Sequence, residues 1–173
     1  MTDNKLDPAD YTDDESLRPS HIVGIGASAG GLEAIESFFK FMPPDSGVAF
    51  VVIQHLSPDH KSLMAELLSK RTRMQVHRAE DGMLVERNSV YLIPPNRNLR
   101  LFHDRLLLTE QDRDARGINL PIDIFFRSLA EDLGPKAIAI VLSGTGSDGS
   151  SGIRAIKEEL GMVMVQTEET AAF

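Results

Sequence analysis

The sequence predicts an α/β fold: a doubly wound, mostly parallel sheet with helices on both faces and an antiparallel hairpin insert. Three observations predict it. Short continuous runs rich in Val and Ile recur at Ile22 to Ile25, Phe50 to Ile53, Ala137 to Leu142 and Met162 to Val165, as expected of strands buried on both faces. Segments with apolar residues at three- and four-residue spacing lie between them, so strand and helix alternate. Gly and Pro punctuate the junctions.

Taken in order, Ile22 to Ile25 is the first strand and runs into Gly26-Ala27-Ser28-Ala29-Gly30. Leu32, Ile35, Phe38, Phe39 and Met42 then give one apolar helix stripe, stopped by Pro43-Pro44. Phe50 to Ile53 is the second strand, and Leu63, Met64, Leu67 and Leu68 mark the next helix. From Met74 to Thr109 no helical period is present. Val90 to Ile93, Leu99 to Phe102 and Leu106 to Thr109 read as strands of the antiparallel insert or edge, with His103-Asp104-Arg105 as a hairpin turn. Gln111 to Asn119, charged and glycine-bearing, reads as an exposed loop. Ile122, Phe125, Phe126, Leu129, Ala130 and Leu133 form a third helix stripe, ended by Gly134-Pro135; Ile153, Ile156 and Leu160 form a fourth, ended by Gly161.

At 173 residues, 42% of them apolar and 25% charged, the chain has the size and composition of one globular domain. Residues 1–20 carry six acids against Lys5 and Arg18, half of the net charge of −8. With Pro8, Pro19 and no hydrophobic period, they read as a disordered acidic tail or linker, and 21–173 as the domain. An acidic domain with no basic stripe is a poor nucleic-acid binder. No run approaches the roughly 18 apolar residues of a membrane span, and the start is too polar for a signal peptide. With no cysteine, there is neither a disulfide framework nor thiolate chemistry. The compartment expected is the cytoplasm.

The turn at residues 26 to 30 fits two motifs. As G-x-S-x-G it is a nucleophile elbow, with Ser28 held out of a tight strand-to-helix turn and glycines keeping Cβ groups out of the way of substrate. As Gly24-x-Gly26-x-x-Ala29 it is the dinucleotide fingerprint. A serine hydroxyl needs a base and a carboxylate to orient that base. His55 directly follows the second buried strand and Gln54, at the carboxyl end where open α/β sheets place their sites; His60, five residues on, is the fallback. Asp148 closes Ser143-Gly144-Thr145-Gly146-Ser147-Asp148-Gly149, the turn after the strand from Ala137, whose glycines expose N–H groups to a developing oxyanion. Taken singly, Ser28 and Asp148 are also ordinary helix-cap residues. Three strand ends supplying serine, histidine and aspartate to one rim is more than capping requires. The dinucleotide reading expects an acid after the second strand, where this chain has Gln54-His55. His55 and His60 match no metal signature, and the 144–149 loop lacks the Lys of a P-loop, so no metal or cofactor is expected.

Ile25 to Gly31, Gln54-His55-Leu56 and Leu142 to Gly149 together resemble the catalytic domain of the chemotaxis protein-glutamate methylesterase (CheB) family. Supporting matches are Ala79-Glu80-Asp81-Gly82, Tyr91 to Asn96 and Pro121-Ile122-Asp123. The resemblance covers residues 21–173 in order. It implies a serine hydrolase that removes methyl esters from glutamates on the cytoplasmic helices of chemoreceptors, releasing methanol, with glutamine deamidation as a second reaction. It also implies Ser28, His55 and Asp148 as the catalytic triad. The Thr145 N–H would be the oxyanion donor, with Ala29, Gly144 and Gly146 around the substrate, and no metal or cofactor would take part. Two departures stand out: Ala29 replaces a threonine common in the family, and Thr145 a methionine. The second resembles members fused to a receptor methyltransferase and sensor modules. The family's domain continues past the equivalent of Phe173, implying a C-terminally incomplete domain. The alternatives are a catalytically idle interaction or regulatory domain of a fused signalling protein, and a nucleotide-binding α/β domain.

Overall fold

The computed structural model describes residues 15–171, except 29, 55–60, 112, 114, 116 and 144–146; the side chains of 61–63 also lie outside the described part. Six strands form the main sheet: β1 (Ile22–Ala27), β2 (Ala49–Gln54), β3 (Gln75–Arg78), β5 (Ser89–Leu92), β8 (Ala137–Val141) and β9 (Met162–Val165). Their order is β3-β5-β2-β1-β8-β9, and every pairing is parallel. A second, antiparallel sheet joins β4 (Met83–Leu84), β7 (Arg105–Glu110) and β6 (Arg97–Phe102) in that order.

The four helices are α1 (Gly31–Phe41), α2 (Lys61–Arg71), α3 (Pro121–Leu133) and α4 (Ser150–Glu158). Alternation along β1 and β2 divides the core in two. Val23, Ile25, Phe50 and Val52 meet Ile35 and Phe39 of α1 and Met64 and Leu68 of α2 on one face. Ile22, Val51 and Ile53 meet Phe125, Phe126 and Leu129 of α3 and Ile156 of α4 on the other, where the small sheet adds Leu99, Leu101 and Leu106. Both central strands are buried at every position, which explains their unbroken apolar sequence.

The structure corrects the insert. Ser89–Leu92, expected in the antiparallel part, is a parallel strand of the main sheet between β2 and β3. It is buried throughout, as its Val-Tyr-Leu core requires. Strand β3, which no apolar run announces, pairs along the outer side of β5 at the sheet edge, with only Val76 and His77 half-buried. The β6–β7 hairpin turns at His103 and Asp104, both with positive φ, while Arg105, expected in the turn, already pairs with Phe102 as the first residue of β7. Residues 15–20, grouped by sequence with the tail, pack on the domain. Glu15–Leu17 is a 3₁₀ turn whose Leu17 carbonyl accepts from Arg87 N–H at 2.9 Å, and Ser20 N–H donates to Gly47 at 2.9 Å.

The connection leaving β1 runs to β2 on one side, while β8 lies on the other. The strand order therefore reverses at β1/β8. The crevice outside the carboxyl ends of these strands is the switch point where open α/β sheets bind ligands.

Candidate active site at the switch point

Ser28 is the first residue beyond β1 and stands in that crevice, half-buried. Its N–H donates to the Ser143 carbonyl at 3.2 Å, and its own carbonyl accepts from Gly31 N–H at 3.0 Å. The first bond ties the serine turn to the head of the glycine loop after β8. Leu142 N–H donating to Gly26 at 2.9 Å continues the β1/β8 ladder up to that point. The cap position of α1 falls on Gly30, at φ 81°, and not on Ser28. Glycine holds that left-handed conformation without Cβ strain.

Gly26 has a different role from the one its motif suggests. A Cβ there would lie 2.6 Å from Ile122 Cγ2, and one on Gly24 would lie 2.8 Å from Phe126 Cε1. The glycines of β1 admit α3 against the sheet rather than substrate to Ser28.

Asp148 is held at both oxygens. Oδ2 accepts from Ile122 N–H at 3.0 Å and Oδ1 from Asp123 N–H at 2.9 Å. It therefore caps the first turn of α3 and not α4, the helix it precedes. Two otherwise orphaned N–H donors are satisfied, and a negative charge sits at the positive end of a helix. A cap of this kind contributes about 0.5–2 kcal/mol. Ile122 lies between the two ends of the candidate site: its backbone is held by Asp148 and its side chain presses on Gly26, two residues before Ser28.

Of the other residues singled out by sequence, His55, His60, Ala29, Gly144, Thr145 and Gly146 lie outside the described residues. The register nevertheless pairs Ala27 with Gln54, so β1 and β2 reach the rim together, one residue before Ser28 and His55 respectively. Three residues with a part here were given no role by sequence, although Gln54 and Asp123 lie in segments that carry the resemblance. Gln54 is 8% exposed, its buried Oε1 has no hydrogen-bond partner among the described residues, and it lines an apolar recess with Met64, Leu92, Pro95 and Arg78. Gln166, the residue after β9, accepts from Ser143 N–H at 2.8 Å and donates to Thr170 at 2.9 Å, clamping the start of the glycine loop. Its place just past a strand end, like that of His55, was the available signal. Asp123, 6% exposed, accepts from Gly152 N–H at 2.6 Å. No described helix is long and apolar enough to cross a membrane.

This fold and crevice define a class: a doubly wound α/β domain that presents a serine at its switch point beside an aspartate-bearing glycine loop. Comparison with known proteins narrows it. Residues 23–173 match the model of the CheB methylesterase family, and the chain belongs to that family. A protein-glutamate methylesterase/protein-glutamine glutaminase of Xanthomonas campestris is 33% identical over 153 residues, 87% of this chain and 42% of the relative. One from Yersinia pestis is 31% identical over 164 residues, 93% of this chain and 47% of the relative. The chain thus spans less than half the length of these relatives. The crystal structure of the Thermotoga maritima CheB methylesterase catalytic domain superposes with a TM-score of 0.79 at 28% identity, covering 88% of this chain and 82% of that one.

Proposed function

We propose that this chain is a serine hydrolase that removes methyl esters from glutamate side chains on the cytoplasmic helices of chemoreceptors. Glutamine deamidation at the same site is its second reaction. The observation that carries the reading is Ser28 at the switch-point crevice of a chain matching the methylesterase family over residues 23–173.

In this reading Ser28 Oγ attacks the ester carbonyl while His55 takes its proton. The Thr145 N–H donates to the tetrahedral oxyanion, flanked by Gly144 and Gly146, with Ala29 on the substrate side. His55 then returns the proton to the methoxy oxygen, methanol leaves, and the glutamyl group remains esterified to Ser28. Water, deprotonated by His55, releases free glutamate and restores the serine. Asp148 accepts from the imidazole and keeps its other nitrogen towards Ser28. An aspartate already fixed by two backbone N–H groups suits that task, since orientation rather than proton uptake is required of it. The reaction is placed in the cytoplasm, and Thr145 supports association with a receptor methyltransferase and sensor modules.

The test is methanol release from methyl-esterified receptor membranes, together with labelling by a fluorophosphonate serine probe. Ser28→Ala abolishes both, and Asp148→Asn lowers turnover by roughly 10⁴-fold. Methanol release unchanged by Ser28→Ala, or a probe that labels another serine, sinks the assignment. A small loss in Asp148→Asn assigns Asp148 to capping alone.

A further inference from the structure

Asp148 and Asp123 are linked by more than proximity. Each carboxylate accepts from the N-terminal turn of the other's helix. Asp148, two residues before α4, takes the N–H groups of Ile122 and Asp123 in α3; Asp123, in α3, takes the N–H of Gly152 in α4. The two chain segments are thereby closed into a ring of backbone-to-carboxylate bonds. Packing permits this only because the α4 side is bare. A Cβ on Gly152 would stand 2.5 Å from Phe126 Cβ, and one on Gly149, at φ 101°, would stand 3.0 Å from Ile122 Cγ2.

The two halves of the ring differ in what they fix. The bonds made by Asp148 set the direction of its carboxylate relative to α3. The segment carrying Asp148 is a short turn, in which Ser150 N–H donates to Ser147 at 3.1 Å, and it runs directly into the first turn of α4. The Asp123–Gly152 bond fastens that turn to α3, beside the bond from the Arg127 guanidinium to Ser151 Oγ at the rim. Asp123 is 6% exposed, too enclosed to meet a receptor helix, so its contribution to any reaction passes through other residues.

We propose that Asp123 is a positioning residue for the Ser28 site: through Gly152 it anchors the first turn of α4, and so holds Asp148 in register for the base. This rests on the reading of Asp148 as the orienting carboxylate. The hydrogen bond carries the effect, so an asparagine, which keeps an acceptor oxygen at the same reach, restores it.

The experiment measures kcat and KM for methanol release from methylated receptor membranes by wild type, Asp123→Ala, Asp123→Asn, Asp148→Asn and the Asp123→Ala/Asp148→Asn double variant. Asp123→Ala lowers kcat by roughly 10²-fold with KM unchanged, the scale of a small displacement of a catalytic group. It adds no further loss in the Asp148→Asn background, because both changes disable the same arm. Asp123→Asn recovers most of the lost turnover. Losses that multiply in the double variant overturn the proposal, since a general loosening of the fold acts independently of Asp148. So does Asp123→Asn as slow as Asp148→Asn, an outcome that stands even if Asp123→Ala does not fold. Slow Asp148→Asn beside unaffected Asp123→Ala sinks this proposal alone, whereas fast Asp148→Asn sinks the reading beneath it as well.

Discussion

A Cβ added at position 26 would fall 2.6 Å from Ile122 Cγ2, well inside contact distance. The glycine there is fixed by a helix nearly a hundred residues away in the chain, although its letter belongs to a local motif. Gly26→Ala therefore forces α3 outward or Ile122 off its rotamer, costing about 1–3 kcal/mol as other overpacked cores do. An unfolding free energy lowered by that amount in chemical denaturation is the expected result; an unchanged midpoint means that the residue answers only to the turn. Ser28 and Asp148 stand out in the sequence as candidate site residues because glycines bracket them at strand ends. The partners of Asp148 do not. A carboxylate before α4 that caps α3 reaches donors 26 and 25 positions back, and no local spacing encodes that. Asp123 entered only within a supporting match, with no role of its own, as an acid in the first turn of a helix is ordinary on dipole grounds alone.

Among the elements, legibility followed burial except at β9, a run expected to be buried on both faces that is exposed at three of its four positions. β1, β2 and β8 show as apolar runs because sheet neighbours and helices cover both faces. β3 has four residues, exposed at both ends, and β4 has two, so neither carries enough period to be read. The parallel placement of β5 was missed because a buried run states that a strand is covered, not which neighbour it joins. The hairpin was found from its turn, and that turn is strained. His103 and Asp104 both hold positive φ, at 48° and 59°, in a two-residue connection that favours Asn-Gly. Asp132 on α3 steadies it, its Oδ1 accepting from His103 N–H at 2.7 Å and its Oδ2 from Asp104 N–H at 3.3 Å. Those bonds use backbone donors and survive substitution. His103→Asn/Asp104→Gly removes left-handed strain and raises stability by on the order of 1 kcal/mol. The change forfeits the Arg18–Asp104 ion pair, long at 3.9 Å and open to solvent, where such pairs contribute about 0–1 kcal/mol. The reading is a higher urea midpoint at an unchanged slope; a lower midpoint shows that the ion pair outweighs the strain.

For the molecule as a whole, the two layers of core are unequal at their margins. The sheet centre is sealed by α1 and α2 on one side and α3 and α4 on the other, but β9 pairs with β8 alone among the described strands. Met162, Met164 and Val165 are 56%, 44% and 63% exposed there, with Leu160 before them at 80%. An apolar strand with one row of backbone groups unpaired is a template for another strand, and β9 carries no Lys, Pro or bulge to blunt it. The net charge of −8 opposes association over distance but does little at contact, where salt screens it within about 10 Å. The 173-residue chain is therefore expected to self-associate through β9 as its concentration rises. Sedimentation equilibrium over increasing loading tests this. The average mass of the wild type climbs, while Met162→Lys/Met164→Lys, which places two charges on one face of the edge, stays at the monomer. A wild type that remains monomeric, or a lysine variant that associates equally well, means that the edge is not what brings copies together.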